Sequence, residues 1–331
     1  MKSRHFWAAA FAIVFAVAAG SVGAEERYRF GSGPAGGAWN PAIGAGTQLL
    51  NQKLSGKYHF LHSPSEGSVA NVRRLALGEF GTTWAHVVQV YQQWNGIGGF
   101  KNDGVKRTFR VIANVRQQTQ IIAVLADSPI KSYSDMVGKK VNLLSRGTGS
   151  SVNCVNIFTA LGLMDQIDAR YLGFRDSGRA LGDRQIDVYC SAGAPYTIPA
   201  VTELSIQKPV RYIGFTEEEQ KKVVSKFQFY AAATIPVQKE VRGMTEPARS
   251  IQYDVFWLAH EKMSNEAIYN MLKVVAAPEN LKALSKAAGY WKTLSGDFSS
   301  LKEHKILVHP AAARFWKEQG VSVPAEIVKG F

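Results

Sequence analysis

The chain is poor in cysteine, with only Cys154 and Cys190, and it has no internal repeat, no low-complexity linker and no dense basic tract. Past its first residues it also has no apolar run long enough to cross a bilayer, which takes ~20 residues. These shortages exclude whole classes. Two cysteines without a histidine at ligand spacing make no zinc site. The formal charge of +13 comes from 39 Lys and Arg against 26 Asp and Glu, spread along the chain, and no nucleic-acid module accompanies it. The nucleophile elbow G-x-S-x-G, the Walker loop and His-Glu-x-x-His are all missing, so catalytic constellations are thin.

The N-terminus carries a basic start (Lys2, Arg4), an apolar run from Phe6 to Ala19 and the small-residue site Val22-Gly23-Ala24. That pattern predicts a secretory signal over residues 1–24, cleaved before Glu25, and hence a periplasmic protein. The remaining length suggests two lobes by the rule of ~150 residues per domain. In an exported chain a disulfide is possible. Spacing alone leaves Cys154 and Cys190 open between a bridge and two buried thiols, because a bridge needs Cα atoms about 4.4–6.8 Å apart.

Alternation of strand and helix signals predicts an α/β fold with largely parallel sheets. Arg27–Phe30 reads as a strand and Asn40-Pro41 as a helix start. Strands are expected at Tyr58–Ser63, Phe109–Val115, Gln120–Ala126, Lys140–Leu144, Ala169–Phe174, Ile186–Ser191 and Ser250–His260, with Thr82–Val90 of mixed character. Helices are expected at Val69–Leu77, Val152–Gly162, near Arg175–Asp183 and at Thr216–Val224. The tail is helical over Asn265–Ala276, Pro278–Ala287 and Pro310–Gln319, which suits a segment that returns to brace the first lobe.

The most informative stretch is Gly31-Ser32-Gly33-Pro34-Ala35-Gly36, followed by Gly37, Trp39 and Asn40. It meets the dinucleotide pattern G-x-G-x-x-G, yet Lys53 stands where the acidic ribose ligand belongs, ~20 residues on. Export also removes the nicotinamide pool. What remains is a strand–loop–helix unit whose glycines admit close backbone approach and whose helix N-terminus favours an anion. Ser145 to Ser151 forms a second such unit, in which Arg146, Gly147, Thr148 and Ser150 can face a carboxylate; Thr148 or Ser150 can equally serve as a helix cap. Ser65–Asn71 is a third, with Ser68 at its helix start. Trp39, Trp84 and Trp94 are candidates to wall a cleft or to fill the core, and His86 is the histidine nearest a candidate site.

Taken in order, these loops resemble the TAXI family of solute-binding proteins, which serve TRAP-type transporters. The likeness rests on Gly31–Pro41, Ser65–Asn71, Asn95–Phe100, Ser128–Lys131 with Gly138–Asn142, Gly147-Thr148-Gly149-Ser150, Gln185–Asp187 with Ala192-Gly193, Thr234–Pro236 and His309–Ala312. It implies a two-lobed periplasmic-binding-protein fold, each lobe a mostly parallel sheet flanked by helices, with a cleft between them and a helical C-terminal part. Lobe 1 would comprise 25–118 and 251–331, and lobe 2 would comprise 119–250. The hinge would lie near Val115–Gln120 and Gln238–Tyr253. It implies a monomer without cofactor or catalysis that captures a small carboxylate, an organic acid or acidic amino acid, and delivers it to TRAP-type membrane subunits. By that likeness Ser32, Gly37, Trp39, Asn40, Ser68, Gly147, Thr148 and Ser150 would line the site, and His86 and Arg146 join them as candidates from their places in the chain. Two departures stand out: His86-Val87-Val88 where Gln-Ser-Asp is common, and Glu66 where a glycine is common. The alternatives are a binding protein for an ABC transporter or sensor kinase, an enzyme on the same scaffold, and an envelope protein with a degenerate cleft.

Overall fold

The computed structural model describes residues 25–193 and 196–330; the expected signal segment lies outside them. In chain order the elements are β1 (Glu26–Gly31), α1 (Trp39–Lys53), β2 (Tyr58–Ser63), α2 (Ser68–Ala76), β3 (Thr82–His86), α3 (Val87–Asn95) and β4 (Phe109–Leu125). Then come β5 (Lys140–Asn142), α4 (Gly149–Leu161), β6 (Asp168–Arg170), α5 (Phe174–Gly182), β7 (Val188–Gly193), α6 (Pro199–Gln207), β8 (Val210–Tyr212), α7 (Glu217–Lys226) and β9 (Ala231–Ile235). The chain closes with β10 (Ala248–His260), α8 (Asn265–Ala276), α9 (Pro278–Ala287), α10 (Ser299–His304) and α11 (Pro310–Glu318).

The strands join in a single mixed sheet of ten, ordered β2-β1-β3-β10-β4-β7-β5-β6, with β8 on β4 and β9 on β10. Two parallel triplets, β2-β1-β3 and β6-β5-β7, sit at its ends. Between them run β10 and β4, antiparallel to each other and to the triplet each adjoins. The order is therefore the same in both halves when each is read towards the middle, although no repeat is visible in the sequence. The two expected strands Phe109–Val115 and Gln120–Ala126 are one continuous 17-residue strand. Nothing in the sequence punctuates it, because Arg116, Gln117, Gln118 and Thr119 carry no glycine or proline to break extension. Each half keeps its parallel strands as expected, and β4 and β10 belong to both halves and join them into one mixed sheet.

Thr82–Val90 divides at His86, where strand β3 gives way to helix α3. The C-terminal helices do fold back on the first half. Helix α8 packs against α1 and α11. The Trp291 indole N–H donates to the Ala42 carbonyl at 2.9 Å, and that of Trp316 to Ile112 at 2.8 Å. Trp291 lies edge-on to Trp84 at 4.7 Å and to Trp257 at 5.6 Å, and Trp257 stacks on Phe30. Burying such rings dominates the core of this half. Trp84 and Trp94 belong to that core rather than to a cleft wall.

In the second half, Cys154 of α4 and Cys190 of β7 form a disulfide across 36 residues, with Cα atoms 6.1 Å apart. Gln120 of β4 points its amide N–H group at both sulfurs. Helix α7 begins with a capping box, in which Thr216 and Glu219 satisfy each other's backbone N–H, and the Glu217–Lys221 pair lies along its exposed face.

Candidate functional site

In a doubly wound sheet, loops leave the carboxyl ends of neighbouring strands in opposite directions where the strand order reverses, and the crevice there is open to a ligand. The order β2-β1-β3 reverses at β1, and β6-β5-β7 reverses at β5. The two crevices face each other and enclose a cavity of about 70 Å³.

Its walls come from the caps or first turns of six helices: Gly37–Trp39 of α1, Gly67-Ser68 of α2, His86 of α3, Thr148–Ser150 of α4, Phe174 of α5 and Ile198–Ala200 of α6. Gly33, Pro34 and Gly36 of the first glycine loop, together with Gln118, Ala192, Thr197 and Tyr290, complete the lining. A helix N-terminus offers backbone N–H groups without intrahelical partners and the positive end of its dipole. Six of them converge here, and among the described residues no Asp, Glu, Lys or Arg lines the cavity. The arrangement can therefore hold negative charge with backbone dipoles alone.

The two halves touch around the cavity. A Cβ at Gly67 would lie 3.6 Å from Thr148 Cα, and one at Gly36 would lie 3.8 Å from the Arg175 side chain. Gly36 (φ +81°) and Gly67 (φ +114°) use backbone conformations that glycine alone reaches without strain.

Six of the expected site residues border this cavity: Gly37, Trp39, Ser68, His86, Thr148 and Ser150. Four lie outside it. The Ser32 side chain is buried below the loop against His62 and the Ser63 carbonyl, and its own carbonyl accepts from Ser65 and Asn71. Asn40 turns back to donate to the Gly33 carbonyl at 3.0 Å, holding the glycine loop in shape. The Arg146 guanidinium lies 3.7 Å above the Tyr171 ring, a cation–π contact away from the cavity. Gly147, at φ +87°, turns the chain into α4, and its α-carbon faces the Glu66 side chain rather than the cavity. Glu66 itself is exposed and does not line the cavity.

The hydroxyls divide by role. Thr148 Oγ1 caps α4, accepting from the Ser151 N–H at 3.0 Å while donating to the Ser145 carbonyl. Ser68 Oγ accepts from the His86 N–H and donates to Gln89. Among the described residues, the Ser150 hydroxyl makes no such bond and stays available.

His86 is 3 % exposed and lies edge-on to Trp39 at 5.1 Å. Burial lowers its imidazole to about 3, and the Gln118 side chain beside it opposes this only weakly. Tyr290 is pushed up to about 12 by burial, with Arg116 pulling the other way. Both groups are therefore neutral across the physiological range. Gln118, Phe174, Ile198 and Tyr290 carry no local motif, since neighbours far apart in sequence bring them to the cavity. Of the lining residues missed by sequence reasoning, Gly33, Pro34, Gly36, Ala38, Gly67 and Gly149 sit inside recognised loops.

A wider hollow of about 460 Å³ adjoins the cavity and shares Gly36–Ala38, Thr197, Pro199 and Tyr290 with it. Among the described residues its one charged wall residue is Arg116, half-buried on β4 and donating to the Gly289 carbonyl at 2.7 Å. Among the described residues no cluster of His, Cys, Asp and Glu could hold a metal ion, and no helix is long and apolar enough to cross a membrane.

The chain is similar to several solved structures. One comes from work on glutathione import by GshT and the cystine ABC importer TcyBC of Streptococcus mutans, with 12% identity, TM-score 0.50, and coverage of 81% of this chain and 95% of that one. The alkanesulfonate-binding protein SsuA of Xanthomonas axonopodis pv. citri, bound to MOPS, gives 13% identity, TM-score 0.49, and coverage of 92% and 97%. The periplasmic aliphatic sulphonate binding protein SsuA of Escherichia coli gives 15% identity, TM-score 0.47, and coverage of 91% and 96%. At 12% identity and TM-score 0.50 the Streptococcus mutans likeness speaks to the fold alone. Residues 30–320 match the NMT1-like family from end to end of both glycine-loop units and the helical return, and the chain belongs to that family.

Proposed function

We propose that this protein is an extracytoplasmic solute-binding protein that captures a small carboxylate in the cavity between its halves and presents it to a membrane importer. The observation that carries this reading is the convergence of six helix N-termini, from both halves of the sheet, on a cavity without a charged side chain. A carboxylate placed there accepts hydrogen bonds from both sides at once, so the solute favours the closed arrangement over an open one. Residues 25–118 with 251–331 and residues 119–250 would move as lobes about β4 and β10 where Thr119 pairs with Gln252. Arg116 at the approach adds positive potential that draws anions in.

Capture is favoured over turnover by the titratable groups of the lining. His86 and Tyr290 are both held in their neutral forms by burial, and no acid and base stand paired in the cavity. An importer of the ABC kind is the partner suggested by the Streptococcus mutans work that shares this fold. A TRAP-type importer is the second reading, favoured by the order and spacing of the glycine loops along the chain.

The test is mass spectrometry of whatever is released on denaturing protein purified without refolding, followed by titration of that compound into stripped protein. A small carboxylate bound near one per chain is expected. Protein that releases no small molecule and is not stabilised against heat by any of a broad set of carboxylates would sink the reading.

A further inference from the structure

The polar side chains of the cavity wall are largely bonded to one another. Gln118, 3 % exposed, donates from Nε2 to the Tyr290 hydroxyl and has the His86 side chain as its other hydrogen-bond partner. The His86 ring also meets Asn153 Nδ2 at 3.4 Å, and Tyr290 has Trp39 as a further side-chain partner. Ser68 Oγ is shared between the His86 N–H and Gln89, and Thr148 Oγ1 between the Ser151 N–H and the Ser145 carbonyl. Among the described residues this leaves two uncommitted side-chain hydroxyls on the wall, those of Ser150 and Thr197. Ser150 stands in the first turn of α4, beside backbone N–H groups that have no intrahelical partner. Thr197 is half-buried at the mouth shared with the adjoining hollow.

A carboxylate head is therefore served at the helix N-termini, while the body of the solute meets Trp39, Phe174, Ala192 and Ile198, which present apolar surface. A hydroxyl or ammonium group on that body finds no uncommitted side-chain acceptor among the described residues deeper than the mouth. Burying such a group without a partner is strongly disfavoured. Room is limited too. The cavity of about 70 Å³ holds about five or six waters at ~10–15 Å³ each, which suits one head group and a short chain but not two charged ends.

We infer that the solute is a short aliphatic monocarboxylate of about four or five carbons, with no hydroxyl, amino or second acidic group. The inference rests on the carboxylate reading above and narrows it to the chemical class of the body. Specificity comes from exclusion. Because the wall groups satisfy each other, they offer nothing to replace the water that a polar substituent loses on entry. A methylene group loses nothing and gains by leaving water.

The probes are two series titrated by calorimetry into stripped protein. One lengthens the chain from acetate through propionate, butyrate and valerate to octanoate. The other compares butyrate with 2-hydroxybutyrate, 2-aminobutyrate and succinate. Affinity is expected to rise about fourfold per methylene as far as butyrate or valerate and to fall by octanoate, and butyrate should bind about tenfold or more tighter than each substituted acid. In Ile198→Thr, which adds a hydroxyl to the apolar wall at nearly the same volume, the preference for butyrate over 2-hydroxybutyrate should shrink severalfold. Affinity that ignores chain length, or a hydroxy, amino or dicarboxylic acid that binds as tightly as butyrate, overturns the inference while leaving carboxylate capture standing. Binding of none of the acids overturns both readings. The wild-type ratios decide the matter even where the substituted protein fails to fold.

Discussion

Gly149 at the start of α4 packs directly onto His86 at the end of β3, so closely that a Cβ on the glycine would stand 2.4 Å from His86 Nδ1. Ser68 Cβ and Gln89 Oε1 would be 2.7 and 2.8 Å away. This is a close seam between the two halves, and backbone without a side chain makes it possible.

Gly149→Ala should therefore wedge the halves apart. The methyl group has no room while they are shut, and overpacking of this sort costs ~1–3 kcal/mol. Solute affinity should drop by about tenfold or more, while the thermal midpoint of the unliganded protein moves little. Small-angle scattering should show a larger radius of gyration that solute no longer reduces. An unchanged affinity and radius would mean that the seam is not part of the closed state.

Thr148 and Ser150 should separate in their effects. Thr148 spends its hydroxyl on the α4 cap, so Thr148→Ala should lower stability by ~1 kcal/mol in chemical unfolding. Ser150 is uncommitted, so Ser150→Ala should weaken binding to a charged solute by ~1.5–3 kcal/mol with stability nearly intact. Calorimetric binding beside urea unfolding on both variants checks the division.

The Cys154–Cys190 bridge ties α4, which brings Thr148, Gly149 and Ser150 to the cavity, to β7, which brings Ala192. Cys154→Ser with Cys190→Ser should reduce stability by ~2–4 kcal/mol. The same loss is expected on unfolding in the presence of a strong reductant. Coincident urea transitions with and without the reductant would contradict it.

Acid should destabilise the protein through its buried histidines. His86 is lowered to about 3 and His309 to about 4, both chiefly by burial, whereas the unfolded chain takes up these protons near 6.5. Between those values the unfolded state binds more protons, so stability is full above about pH 6.5 and is lost as the pH falls towards 4 and then 3. His86→Phe should flatten part of that slope. Because His86 stays neutral throughout, solute affinity should be flat between about pH 8 and pH 6 apart from the solute's own titration. Urea midpoints and calorimetry across that range test both statements.

Part of the candidate cavity's lining was legible because its local structure is encoded in consecutive residues. A strand, a glycine loop and a capped helix occupy consecutive residues, so Gly31–Asn40 and Ser145–Ser151 declare themselves, and Cys154 falls in the helix that follows the second loop. The same local logic located α8 and α9 to the residue. It failed at Arg146, whose charge invited a role with carboxylates while the Tyr171 ring holds it in a cation–π contact. It failed also at Ser32 and Asn40, whose side chains serve their own loop.

The sequence by itself determined the alternation of strands and helices and the glycine turns that start the helices, because each depends on the conformational preferences of neighbouring residues. Only the tertiary structure decided that β4 and β10 join the halves into one sheet, that the two cysteines meet, and that Gln118, Tyr290 and Ile198 close the cavity with His86. Those outcomes depend on which distant surfaces bury one another, and no short stretch of chain carries that information.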